Sequence, residues 1–237
     1  MEYNNIVYTD IPRTVSADIC ERLRKLGVAT VHEAMGKLNL ADSEIRPVCA
    51  GLSCAGPAVT CHCPAGDNLM PHKALTLVKP GDVLVIYAQA FTRAGLWGEL
   101  TSLTAKVAGV AGVVIDGGVR DTAQIREMQL PLWSRSVHAG GTDKNGAGAV
   151  NVPIVFGGTM VAPGDIVIAD DDGICVVPRL RAEEICLQAE KREASEEVSK
   201  QNILAGKTLF ETYNMSAAFD KLNIIIKEGT YTDGIGD

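Results

Sequence analysis

The sequence predicts an α/β fold, and three observations predict it. Short β-branched apolar runs alternate with stretches of helical spacing through the first part of the chain, the pattern of βαβ units and a parallel sheet. A second stretch is rich in short strands. A long charged helix then closes the chain.

The elements follow in order. "SADICERLRKLG" carries Ile19, Leu23 and Leu26 at helical spacing, with Ser16 placed to cap the helix and Gly27 to stop it. "VATVHEAMGKLN" reads as a second short helix ending near Gly36. "GPAVTCHCP" is a strand and "GDNLMPHKALTLV" a helix with an early proline, which the first helical turn tolerates. "GDVLVIYA" is a strand, and "WGELTSLTAKVAG" a helix stopped by Gly109. "AGVVID", "DTAQIREM" and "LPLWSRSV" continue as strand, helix and strand. After the glycine-rich "HAGGTDKNGAGAV", short strands are expected around "NVPIVFGG", "GDIVIAD" and "GICVVP". The echo of "KPGDVLVIYA" in "APGDIVIADD" marks two strands entered through the same Pro-Gly turn.

From Arg179 the chain is a charged helix with a thin apolar stripe, either solvated on its own domain or an arm toward a neighbouring subunit. The natural division is therefore 1–178 for the α/β domain and 179–237 for the helix and tail. "NIIIKEGTYTDGIGD" at the end has no assigned structural role.

Composition narrows the function classes. The 237 residues suffice for a core that needs no disulfide or metal to hold it. A formal charge of −7 argues against broad nucleic-acid or anionic-membrane binding. No apolar run spans a bilayer and the N-terminus lacks a signal-peptide pattern, so a cytoplasmic protein is expected. Seven cysteines, several within apolar runs, read as reduced buried residues. Strand alternation separates His62 from Cys61 and Cys63, which removes "CHC" as a metal site.

The chemistry concentrates at "VVIDGGVRD". Gly117 and Gly118 let a ligand approach the backbone, and Arg120 and Asp121 follow at the carboxyl end of a buried strand, where α/β sheets bind ligands. Arg120 offers a planar fork to a carboxylate. Asp121 offers hard oxygen to a divalent cation such as Mg²⁺, which takes its remaining ligands from water and substrate. "WGELT" opens a helix at Gly98, Glu99, Leu100 and Thr101, whose first-turn N–H groups can hold an anion. His32, His72 and His138 are candidates near a cleft, though a backbone-bonded histidine is the commoner outcome. "ADDDG" lacks the later glutamate of a calcium loop and reads as an acidic turn. Lys106 lies mid-helix and is expected to face solvent.

Taken in order, "LGVATVHEAMG", "PAGDNLMPHKAL", "KPGDVLVI", "GEL", "VVIDGGVRD", "LPLWSRSVHAGGT", "VNVPIVFGG", "PGDIVIADDDGICVVP" and "KRE" resemble the class II, divalent-metal-dependent pyruvate aldolases that cleave 4-hydroxy-4-methyl-2-oxoglutarate and 4-carboxy-4-hydroxy-2-oxoadipate. Those aldolases share the fold of the RraA-type ribonuclease regulators. The resemblance implies a layered αββα domain of swivelling type with a C-terminal helical arm, assembled as a homotrimer or homohexamer with sites between subunits. It implies a 2-oxo acid substrate held by the amides of Leu100 and Thr101 and by Arg120, with Asp121 on Mg²⁺, Mn²⁺ or Co²⁺. Glu33 would line the site, and Glu196, with Glu193 and Glu197 close by, would enter from an adjacent subunit. Glu99 stands where the family has an acidic residue of the "G-D-L" segment, a departure by one methylene. Oxaloacetate decarboxylation would accompany the cleavage, since both pass through a pyruvate enolate.

The alternative is a non-catalytic regulator that binds a ribonuclease or helicase, a branch that typically lacks the aspartate after the arginine. A methyltransferase would need a nucleotide-binding fingerprint after the first strand, which is missing. Arg93, in "AFTRAGLW", is either a ligand for a distal carboxylate or an exposed side chain.

Overall fold

The computed structural model describes residues 5–231. It divides into one unit ending at Arg192 and a second beginning at Glu193.

In the first unit four parallel strands form the centre: β3 (Cys54–His62), β4 (Val83–Trp97), β5 (Gly112–Val119) and β6 (Leu132–Val137). Helices α2 (Leu69–Leu75), α3 (Glu99–Val107) and α4 (Thr122–Met128) make the crossovers. Short strands β1 (Ile6–Val7), β7 (Ala149–Val150) and β2 (Arg46–Pro47) extend the sheet at its edges. At two residues each, they are too short to show a period in the sequence.

Alternation along the strands builds the layers. Leu84 and Ile86 of β4 pack with Ala74, Ala105 and Ile125 from the three crossover helices. Val83 and Val85 face the other way and meet Val167 and Ala169 of β10 (Ile166–Ala169) and Val176 of β11 (Ile174–Val177). The opposite face of β10, Ile166 and Ile168, packs against Leu23, Val28 and Val31 of α1 (Ala17–Ala34) and Ile185 of α5 (Ala182–Leu204). The order is helix, sheet, sheet, helix: the αββα arrangement. Strand β3 joins the two sheets, its first half antiparallel to β10 and its second half parallel to β4. The ribbon β8 (Ile154–Phe156) and β9 (Thr159–Val161) pairs with itself and adds Phe156 and Val161 to the middle core.

The two helices expected on either side of Gly27 are the arms of α1, bent where Gly27 takes φ 78°. Ser16 caps the first arm, accepting the Ile19 N–H at 3.3 Å. The repeated Pro-Gly-Asp turns are also alike. Asp82 accepts the Lys79 N–H at 2.7 Å and Asp165 the Ala162 N–H at 3.0 Å, and each binds an arginine, Arg13 or Arg179.

The division of the chain falls inside α5, whereas the charge pattern puts it at the start of the helix. Ala182, Ile185, Cys186 and Ala189 are buried in the first unit's third core, which ties the first half of the helix to the α/β domain. The second unit holds the rest of α5, then α6 (Leu209–Thr212) and α7 (Ser216–Asp220), with Thr208 and Glu211 forming a reciprocal capping box. Residues 224–231 contain no strand or α-helix, and the remainder of the tail lies outside the described residues. Among the described residues, no helix is long and apolar enough to cross a membrane.

Candidate active site

The carboxyl ends of β4 and β5 open into a cavity of about 460 Å³, the size of a small-molecule site. Its wall is made by Gly98, Glu99, Leu100 and Thr101 at the start of α3, and by Arg120 and Asp121 after β5.

Asp121 is the N-cap residue of α4, yet its side chain makes no capping hydrogen bond. Instead it adopts left-handed φ 56°, ψ 38°, a conformation that costs an L-residue about 1–2 kcal/mol. The carboxylate turns toward α3, where Oδ2 accepts the Glu99 N–H at 3.1 Å and lies 3.7 Å from Arg120 Nε. Oδ1 keeps its acceptor capacity. Gly98 makes room, because a Cβ there would stand 2.4 Å from Asp121 Oδ2. Arg120 is fixed by its backbone, whose N–H donates to the Trp97 carbonyl at 2.8 Å. Its guanidinium carries no carboxylate partner other than this neighbouring one among the described residues, and Arg120 and Asp121 side chains remain 47% and 40% exposed.

The start of α3 is held by Thr101, whose hydroxyl accepts the Gly98 N–H and donates to the Gly98 carbonyl, both at 2.9 Å. Helical geometry leaves the Leu100 and Thr101 N–H groups without intrahelical acceptors. The wall therefore combines two amides, a guanidinium and a carboxylate.

Other candidates lie elsewhere. Glu33 sits on α1 and does not line the cavity; it is 3.8 Å from Arg192 and 3.7 Å from Lys37. Glu196 belongs to the second unit. Lys106 reaches the Met128 carbonyl rather than the cavity. His32 Nδ1 lies 3.1 Å from the Leu38 carbonyl, and His138 Nδ1 accepts the Gly140 N–H at 2.9 Å, so both serve the backbone. Arg93 is exposed, stacked over Phe91 at 5.6 Å, and is not part of the wall. His72 does line it, and burial together with the Lys144 ammonium holds its imidazole below the usual pKa. Asn68 and Lys144, which no sequence motif singles out, also line it, with Gly95 and Leu96. The seven cysteines are free and buried, and burial pushes Cys54 and Cys63 up to about 12.

The residues can be tested for a metal. No cluster of three His, Cys, Asp or Glu that could hold an ion exists among the described residues. Among the described residues, two carboxylates line the cavity: Asp121, which keeps one oxygen uncommitted, and Glu99. That fits a hard, water-retaining cation such as Mg²⁺, and does not fit zinc, which needs several protein ligands.

The fold is α/β, and the cavity at its strand termini is lined by a guanidinium, carboxylates and the start of a helix. Residues 16–176 match the RraA-like family, described as Aldolase/RraA, and the chain belongs to that family. A protein of Halalkalibacterium halodurans provisionally designated a 4-hydroxy-4-methyl-2-oxoglutarate aldolase is 32% identical over 186 residues, 78% of this chain and 89% of that one. An uncharacterized protein from Pseudomonas syringae pv. tomato superposes with a TM-score of 0.77 at 27% identity, over 86% of this chain and 97% of that one. RraAS2 of Streptomyces coelicolor, described as an unusual member of the RNase ES inhibitor RraA protein family, gives 0.71 at 31% identity, over 79% and 98%.

Proposed function

We propose that the protein is a divalent-metal-dependent aldolase that cleaves a 4-hydroxy-2-oxo di- or tricarboxylic acid and releases pyruvate. The substrate would be of the 4-hydroxy-4-methyl-2-oxoglutarate or 4-carboxy-4-hydroxy-2-oxoadipate type. The observation that carries the reading is Asp121: a carboxylate in a strained conformation, at a helix cap it does not serve, facing the cavity beside an arginine.

The Leu100 and Thr101 amides would hold the 1-carboxylate, as helix N-termini hold anions. Arg120 would set fixed positive charge where the 2-oxo oxygen becomes an enolate. Asp121 would hold Mg²⁺, Mn²⁺ or Co²⁺, which when bound supplies Lewis-acid polarisation of the 2-oxo group. Glu99, exposed at the rim, is available to orient water. Glu196 would act on a neighbouring copy's cavity in a homotrimer or homohexamer, and light scattering that returns a monomer would contradict this. Oxaloacetate decarboxylation is the expected side reaction.

Pyruvate release from the two hydroxy-oxo acids and oxaloacetate, with Mg²⁺ and with EDTA, tests the reading. Metal-dependent release is expected. Likeness to RraAS2 supports a second reading, a partner of a ribonuclease or helicase. That reading predicts ribonuclease binding with no release from any of the three acids.

A further inference from the structure

The roles above leave three lining side chains of the cavity, Asn68, His72 and Lys144, without an occupant. Asn68 is 7% exposed and donates Nδ2–H to the Leu96 carbonyl at 2.9 Å, which fixes the orientation of its amide. Its Oδ1 is then a buried acceptor with no partner. Such atoms are rare in folded proteins, and this one belongs to a residue that lines the cavity.

Lys144 is the cation beside it, and it is not an ordinary surface lysine. It rides on the glycine-rich loop, which Asp67 fastens down. Asp67 is 4% exposed; its Oδ1 accepts the Leu69 N–H, and its Oδ2 accepts the Asn145 and Gly146 N–H groups, all at 2.8 Å. Two backbone bonds close the clamp, Asn68 N–H to the Asp143 carbonyl at 3.0 Å and Asp143 N–H to the Gly66 carbonyl at 2.9 Å. Gly146 is required, since a Cβ there would lie 2.9 Å from Asp67 Cγ. Burial works against the charge on Asp67, but the three N–H groups and Lys144 outweigh it and hold its pKa below the ordinary value. Among the described residues no carboxylate forms an ion pair with Lys144.

We propose that Asn68, His72 and Lys144 form a second subsite for the half of the substrate that leaves. Lys144 meets the carboxylate on C4. Asp67 is the positioning residue that sets Lys144 over the cavity. The proposal rests on the aldolase reading, and it assigns to Lys144 the distal carboxylate for which Arg93 is the sequence candidate.

The test is calorimetric, so that it does not depend on turnover. 2-Oxoglutarate has the carbon skeleton of the substrate with the same distal carboxylate, whereas pyruvate lacks it. With Mg²⁺ present, the wild-type protein is expected to bind 2-oxoglutarate more tightly than pyruvate. Lys144→Met is expected to weaken 2-oxoglutarate about 10–100-fold, the effect of one charge-assisted hydrogen bond, and to leave pyruvate unchanged. Lys144→Arg should retain most of the preference. Asp67→Asn should weaken 2-oxoglutarate selectively as well, which a general loss of folding would not do. Equal effects on both acids, or none on either, overturn the subsite. Failure of the wild-type protein to release pyruvate from any substrate would instead overturn the aldolase reading, while the binding preference still judges the subsite.

Discussion

Two acidic turns, Val119–Asp121 and Ala169–Gly173, both follow a buried strand and differ completely in where their carboxylates go. In the second, two of the three carboxylates, Asp170 and Asp171, are committed to the backbone. Asp170 Oδ2 accepts the Val28 N–H at 2.8 Å, the amide that the kink at Gly27 leaves without a helical acceptor, and Oδ1 accepts the Asp172 N–H at 2.9 Å. Both oxygens of Asp171 accept the Gly51 N–H at 2.9 Å. In the first turn, Asp121 forgoes the helix cap and keeps one oxygen uncommitted toward a cavity. The number of aspartates in a turn therefore says little. What separates structure from chemistry is where their lone pairs go.

Substitutions can break this comparison. The largest effect is expected at Asp121: Asp121→Ala should lower kcat for pyruvate release at least about 100-fold, with urea unfolding shifted by less than about 1 kcal/mol. Asp170→Ala should do the reverse, costing roughly 2–3 kcal/mol through the lost charge-assisted bond and the stranded Val28 amide, with kcat and KM unchanged in the folded fraction. If Asp170→Ala abolishes turnover in folded protein, the division between the two turns is wrong. Arg120→Lys should raise KM and lower kcat/KM by about tenfold, because a point charge cannot reproduce the planar fork; unchanged kinetics would remove Arg120 from substrate binding. Asp171→Ala is expected to be the mildest, about 0.5–1 kcal/mol at an exposed position, measured by the same unfolding curves.

How much of this the sequence carried depends on the range of the interactions. The apolar run at residues 83–86 was readable as a strand, as were the cap at Ser16 and the break at Gly27, but not which face each side chain takes. The Arg120–Asp121 pair was legible because paired glycines at the end of an apolar run place it at a strand terminus. The four-layer order came from family resemblance, since no local pattern says that β3 serves two sheets. Strand β4 was read as ending near Ala88, yet it continues irregularly to Trp97, with register shifts against β5 that alternation cannot encode. Lys144 was invisible for a related reason. Its position depends on a buried carboxylate far back in the chain that grips two backbone amides, and nothing in the composition of a glycine-rich loop reveals that grip. Glu33 was picked out by its motif alone, and its side chain lies beside Arg192 and Lys37.

The central claim is that the Asp121 carboxylate is held ready for a cation rather than for the fold. The most direct measurement is a Mn²⁺ titration followed by electron paramagnetic resonance, with oxalate present as a mimic of the pyruvate enolate, on the wild-type protein and on Asp121→Ala. The account predicts tight uptake by the wild-type protein and its loss in the variant, with circular dichroism and unfolding midpoint preserved. Equal Mn²⁺ uptake by the two proteins would contradict it.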